Sequence, residues 1–463
     1  MKQEATQPVP ARRQQPVRWP LLLALAGLAG ASVWPARLQS QQDWFRTGTG
    51  VGVEKVRLAV PVFAARSAEV QTAASVFYAV LRDDLEMSGV IELVSPSFQP
   101  LAVPSLPAEL KAEAWAQAPT SAHMVAYGNL SFAENQLLVS AWLSDVRNPQ
   151  APPVLAKRYR GDLTEEQARQ LAHQFADDII ERLSGGVPGI AQTQLAFVSD
   201  RTGNKEIWVM DYDGHGQRQI TRQGLICLTP RWAPDRSRLA YTAFERTAAS
   251  SEVTRTAIQL YSLVMNRRLA FPYLGGTTTT PAWSPDGQEL ALSSSRTGDQ
   301  EIYVVGGDGG RLRRLTYSPG VDISPAWNPV TGKQIAFVSD RGGSPQIYLM
   351  DADGAGVERL TNGEGYAVSP AWSPNGQMIA FAWQQGNSHF DLYVMDVATR
   401  QAVQLTRESG RNEQPTWAPD GRHLAFQSTR GGRNQIWMML ADGTGVRQLT
   451  LEGSNTAPHW SPR

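Results

Sequence analysis

Cysteine occurs once in the 463 residues, as Cys227. A lone thiol excludes a disulfide scaffold, cysteine-ligated zinc, iron–sulfur clusters and CxxC redox chemistry, while leaving the compartment open. Net charge is also missing, because 43 Lys+Arg balance 43 Asp+Glu. Binding to nucleic acid or an anionic membrane by bulk electrostatics needs a basic surplus, so no nucleic-acid partner is expected. The six histidines, at 123, 173, 215, 389, 423 and 459, are scattered and suggest no metal or acid–base cluster. His173 reads as an ordinary surface or boundary residue. Long hydrophobic runs are missing too. The stretch Trp19 to Val33 is shorter than the ~20 residues of a membrane span and is flanked by Pro20 and Pro35. It follows Arg12, Arg13 and Arg18 and ends near Ala29-Gly30-Ala31, the order of a secretory signal. Residues 1–36 therefore read as an export signal or an uncleaved anchor, and residues 37–53 as an extension.

Glycine, proline and tryptophan, by contrast, are plentiful, at 40, 30 and 14. Many tight turns combined with large aromatics point to a period. Pro-x-Trp-x-Pro recurs six times, at Trp232, Trp283, Trp327, Trp372, Trp417 and Trp460, with intervals of 51, 44, 45, 45 and 43 residues. Each copy is followed by an Asp-Gly-like turn, a strand such as Ile335–Val338, a Ser-Asp-Arg-like turn, a strand such as Ile347–Met350, a second Asp-Gly turn and a short Arg-x-Leu-Thr strand. Four short strands at this period predict a β-propeller blade. The Asp-Gly dipeptides read as type I′ hairpins. The repeats begin at Gln194, at a second strand, and the last first strand ends at Trp460. Residues 194–463 thus predict six blades, one shared between the two ends, which leaves no open edge. The repeating Trp residues read as packing between blades.

Residues 54–186 predict a small α/β domain with a mixed sheet: strands over Val56–Phe63, Val90–Val94, His123–Ser131, Gln136–Leu143 and Val154–Arg160, and helices over Ala68–Ser88, Ala108–Ala118 and Thr164–Leu183. No Gly-rich phosphate loop joins strand to helix, so no nucleotide cofactor is expected. Residues 187–193 read as linker.

In an antiparallel four-stranded blade, the first and third turns share one face of the disc. The second turn and the blade-to-blade connection share the other. Asp-Gly turns on the first face are short and uniform. The connections before Pro-x-Trp vary among copies, and varied loops on a rigid scaffold are where recognition is expected. This assigns a partner-binding face to Thr229, Thr278, Thr279, Asp322, Ser324, Val368, Ser369, Asn412, Glu413, Asn455 and Thr456. Arg201, Arg246, Arg296, Arg341 and Arg430 fall on the same face, one in each of five blades. They form either a ring that recognises carboxylates or a set of braces, each holding its own blade.

The segments Pro281-Ala-Trp-Ser-Pro-Asp-Gly287, Ile335-Ala-Phe-Val-Ser-Asp-Arg341, Ile207-Trp-Val-Met-Asp211 and Arg447-Gln-Leu-Thr450 resemble the repeats of the TolB family, periplasmic propeller proteins of the Tol-Pal system. The order of signal, α/β domain and propeller is similar as well. The resemblance implies a non-enzymatic periplasmic protein that binds the Pal lipoprotein through one propeller face, at the connections before Pro-x-Trp. It also implies contact with a TolA-like inner-membrane protein through the N-terminal segment, and a role in outer-membrane integrity and invagination at division. About twenty residues, including Gln39–Gly52, separate the apolar run from the first strand, and no TolA-contacting end is recognisable there.

Similar repeats accompany serine peptidases of the prolyl oligopeptidase type, so a hydrolase is the rival class. That chemistry needs Gly-x-Ser-x-Gly and a triad. The pentapeptide is absent, and no length is left for a catalytic domain. A lyase working within the propeller, or an adaptor outside the Tol-Pal system, are further alternatives. Asp211-x-Asp213-Gly and Asp351-x-Asp353-Gly superficially suggest calcium loops, but the twelve-residue spacing to Glu is missing. No cofactor or metal and a monomeric state are expected.

Overall fold

The computed structural model describes residues 55–246, 253–386 and 389–463. The signal and extension readings lie outside them. Two parts make up the described chain: a mixed-sheet α/β domain and a six-bladed β-propeller.

Strands β1 (Val56–Ala59), β2 (Ala64–Ala65), β3 (Ile91–Leu93), β4 (Met124–Ala133), β5 (Gln136–Asp145) and β6 (Leu155–Gly161) form the first sheet, in the order β3-β1-β4-β5-β6, with β2 alongside β4. Pairing is parallel between β1, β3 and β4, and antiparallel from β4 to β6. Helices α1 (Gln71–Met87) and α3 (Glu165–Leu183) carry apolar residues at helical spacing and pack on the sheet through Phe77, Leu81, Leu171, Phe175 and Ile179. Thr164 caps α3 by accepting the Gln167 N–H. The helix expected over Ala108–Ala118 is reduced to one 3-10 turn at Pro107–Glu109 and the short α2 (Ala112–Ala116). Here the burial of Ala112 and Trp115 and the turn chemistry of Pro107 and Pro119 dominate over helical propensity.

Each blade is a four-stranded antiparallel sheet whose innermost strand contains Pro-x-Trp. Five blades are continuous in sequence. The sixth joins Asn455–Trp460 to Gln194–Ser199, in register from Asn455 opposite Ser199 to Trp460 opposite Leu195. All six repeat tryptophans are 3–8% exposed and wedged against the preceding blade. Trp372 and Trp417 donate their indole N–H to the carbonyls of Ala326 and Ala371 in that blade. A sugar-stacking role would need exposed rings, and these are packed into blade interfaces.

Two sequence details acquire a physical reason. In five blades the threonine just after the fourth strand accepts a backbone N–H of the third strand and donates to a side chain there: Thr221 pairs with Ile207 N and Glu206, Thr316 with Ile302 N and Glu301, Thr361 with Ile347 N and Gln346, Thr406 with Leu392 N and Asp391, Thr450 with Ile436 N and Gln435. That lock explains the recurrent Leu-Thr. The Asp-Gly turns differ from expectation. Gly287 and Gly354 have positive φ while Asp286 and Asp353 do not, so these are not type I′ hairpins. Gly354 N–H bonds the Asp351 carbonyl and Asp351 N–H bonds that of Ala355, a tight turn closed by a left-handed glycine.

Candidate functional site on the open propeller face

The α/β domain docks on the face that carries the Asp-Gly turns. Tyr212 donates to Asp84 at 2.5 Å, and the other oxygen of Asp84 meets His173 Nδ1 at 2.7 Å. Arg169 is ion-paired with Asp213, Arg447 with Asp83, and His423 Nε2 lies 2.7 Å from the Met87 carbonyl oxygen. His173 is thus buried and hydrogen-bonded to a buried carboxyl, not the ordinary surface or boundary residue its sequence position suggested. Its neighbours on α3 supply the apolar pattern, and the acid comes from α1. Asp213 is occupied with Arg169, in keeping with a structural role for the Asp-x-Asp-Gly segment.

Among the described residues nothing docks on the opposite face, and its backbone is unusual. The residue before each Pro-x-Trp is left-handed in all six blades: Thr229, Thr280, Ser324, Ser369, Gln414 and Ala457, with φ between 48° and 58°. At each, the register of the first strand against the second slips by a bulge. Non-glycine residues adopt this conformation only where the surroundings enforce it, and such positions cluster at functional sites. Thr229, Ser324 and Ser369, three of these left-handed residues, line the axial channel.

The residues assigned to this face from the sequence separate into two layers. Thr229, Thr279, Ser324, Val368, Ser369, Glu413 and Thr456 are partly accessible. Thr278, Asp322, Asn412 and Asn455 are at most 1% exposed and lie beneath the surface. Their position opens the innermost strand, where the overlying connection covers it.

The same correction divides the arginines. Arg341 donates from Nε to Ser339 Oγ (2.8 Å) and from Nη2 to Asp322 (2.7 Å). Arg201 repeats this with Ser199 and Asn455, and Arg430 with Ser428 and Asn412. Each of the three guanidinium groups also stacks on aromatic rings of its own blade, Trp208, Tyr348 or Trp437. These three are braces. Arg246 and Arg296 are exposed and make no side-chain hydrogen bond or ion pair among the described residues.

Exposed apolar residues on the same connections complete the face: Ile226, Tyr273, Tyr317, Val321, Tyr366 and Leu451, from 37% to 80% exposed. Tyr273 and Tyr317 are held by Arg255 and Arg314, whose guanidinium carbons lie 4.6 and 4.5 Å from the ring centres. Rigid, exposed tyrosines are typical anchors of protein interfaces. The sequence reading passed over Tyr273, Tyr317 and Leu451, although Tyr317 and Leu451 each stand out in a largely polar connection. Among the described residues there is no group of three or more His, Cys, Asp or Glu placed to hold a metal ion.

Residues 180–388 and 361–463 match the family model for the TolB beta propeller domain, and residues 49–151 match that for the TolB amino-terminal domain. The chain belongs to the TolB family. The Tol-Pal system protein TolB of Desulfosudis oleivorans is 35% identical over 292 residues, 62% of this chain and 63% of the relative. A TolB homolog of Chlorobium chlorochromatii is 33% identical over 250 residues, 54% of this chain and 53% of the relative. The chain therefore spans between half and two thirds of the lengths of these relatives. The crystal structure of TolB from Acinetobacter baumannii superposes with a TM-score of 0.76 at 25% identity, covering 89% of this chain and 97% of the other. Both parts of the TolB architecture are thus present.

Proposed function

We propose that this chain is the TolB component of a Tol-Pal system: a non-enzymatic periplasmic protein, active as a monomer, that binds a Pal-like lipoprotein through the open propeller face. In that role it supports outer-membrane integrity and invagination during division. We take residues 54–186 as the amino-terminal domain and 194–463 as the propeller. Family membership supports the system. The observation that carries the face is the asymmetry of the disc: the α/β domain occupies the side of uniform turns, while the other presents varied connections with exposed tyrosines. Family likeness also supports a TolA-like partner for the N-terminal segment.

The test is co-purification of the full chain with the Pal-like and TolA-like proteins of the same cell envelope. Capture of the Pal-like lipoprotein at stoichiometric yield is expected. Its absence, or turnover of pectin or peptide libraries by the purified chain, would overturn this reading in favour of an adaptor or an enzyme.

A further inference from the structure

The axial channel contains chemistry that neither blade packing nor the open face uses. Its wall repeats the central residue of Pro-x-Trp: Ala282, Ala326, Ala371, Thr416 and His459, with Arg231 in the remaining blade. The cavity measures about 410 Å³, and Arg231 is the one Lys, Arg, Asp or Glu lining it among the described residues. A guanidinium offers five N–H donors. Here one, from Nη1, goes to the Pro230 carbonyl at 2.9 Å. Arg231 forms no ion pair among the described residues; burial brings its pKa down to about 10, so the group is still a cation at neutral pH. His459 does not offset it. Its Nδ1 accepts the Trp232 backbone N–H at 3.1 Å, and burial, with Arg231 adding to the effect, holds its pKa well below the usual value. Thr280, Ser324 and Ser369, each with a left-handed backbone, line the same cavity.

We propose that the channel binds one small oxyanion, of the carboxylate or phosphate type, at the free donors of Arg231. A half-buried guanidinium facing a cavity favours such groups through paired, charge-assisted hydrogen bonds. The anion comes either from solution or as an acidic side chain entering through the open face. Neither source requires the partner assigned above.

Six tryptophans surround the channel, so the full chain reports binding through its own fluorescence. Titration with inorganic phosphate and with N-acetyl-glutamate N-methylamide, at fixed ionic strength, is expected to give saturable one-to-one binding, confirmed by calorimetry. Arg231→Ala should weaken it by about tenfold or more, and Arg231→Lys should retain part of it. Three blades already carry alanine at this position, so the alanine variant is expected to melt with the wild type. Tighter phosphate binding assigns a free anion, and tighter binding of the glutamate derivative assigns a partner's side chain. No saturable binding to the wild type, or equal binding to Arg231→Ala, would overturn the site.

Discussion

Arg296 and Arg341 occupy the same repeat position in adjacent blades and have different surroundings. Arg341 is the counter-ion of Asp322, which is fully buried and has one oxygen without another hydrogen-bond partner. Arg341→Met should therefore cost about 2–4 kcal/mol in urea unfolding, the scale of a buried charge left unpaired. Arg296→Ala should change stability by less than about 0.5 kcal/mol, as for an unpaired surface residue. Equal costs for the two would remove the distinction between brace and free cation. The repeat alone placed both arginines at one turn, but the difference was also legible one strand away. Braced arginines face Asn455, Asp322 or Asn412 at the start of the innermost strand. In the blades of Arg246 and Arg296 that position holds Cys227 or Thr278, whose thiol is a weak acceptor and whose hydroxyl sits on a shorter side chain than the amide or carboxylate oxygen of Asn or Asp.

Strand order, blade number and the closing seam followed from the Trp period, because four strands at 45 residues admit few other architectures. Turn conformation did not follow: Asp-Gly is compatible with several tight turns, and the choice depends on strand twist and register. The glycines of the open-face turns and connections likewise divide only in three dimensions. At Gly365, φ is +87° and an added Cβ would fall 1.8 Å from the Gln384 carbonyl oxygen, whereas Gly343, at φ +98°, has nothing within 4 Å. Gly343→Ala should cost about 1 kcal/mol for the left-handed backbone. Gly365→Ala should cost more than twice that, since the backbone of the neighbouring strand must move as well, and thermal unfolding of the pair measures the difference. Helix α2 was overestimated from sequence because its surroundings, not its propensity, set its length.

Docking of the α/β domain on the propeller was invisible in the sequence, since Asp84, His173 and Tyr212 come from three distant segments. The contact is pH-dependent with a definite sign. For His173, burial would lower the pKa, but the Asp84 hydrogen bond and charge raise it above 6.5, with Asp213 assisting and Arg169 opposing. A raised histidine stabilises fully below the unfolded value and loses its contribution as pH climbs through the folded one. Burial likewise raises Asp84, which adds to the same sign, because its ionisation is disfavoured in the docked state. Asp213 acts oppositely: burial would raise its pKa, but the His215 N–H and Arg169 hold it low, so its stabilisation is lost only in acid. Protection factors of α1 and α3 amides, corrected for intrinsic exchange, should therefore decline as pH rises above 6.5, and His173→Gln should flatten the decline. A rise in protection over that range would contradict the assignment.

The central claim is that recognition belongs to the face of varied connections. Calorimetric titration of the full chain with the purified Pal-like domain of the same cell, comparing changes on the two sides of the disc, tests it most directly. Tyr317→Ala or Arg296→Glu on the open face should weaken binding by about tenfold or more, while Val330→Ser on the opposite face should leave it unchanged. Loss of binding with Val330→Ser, or full affinity in both open-face variants, would contradict the account.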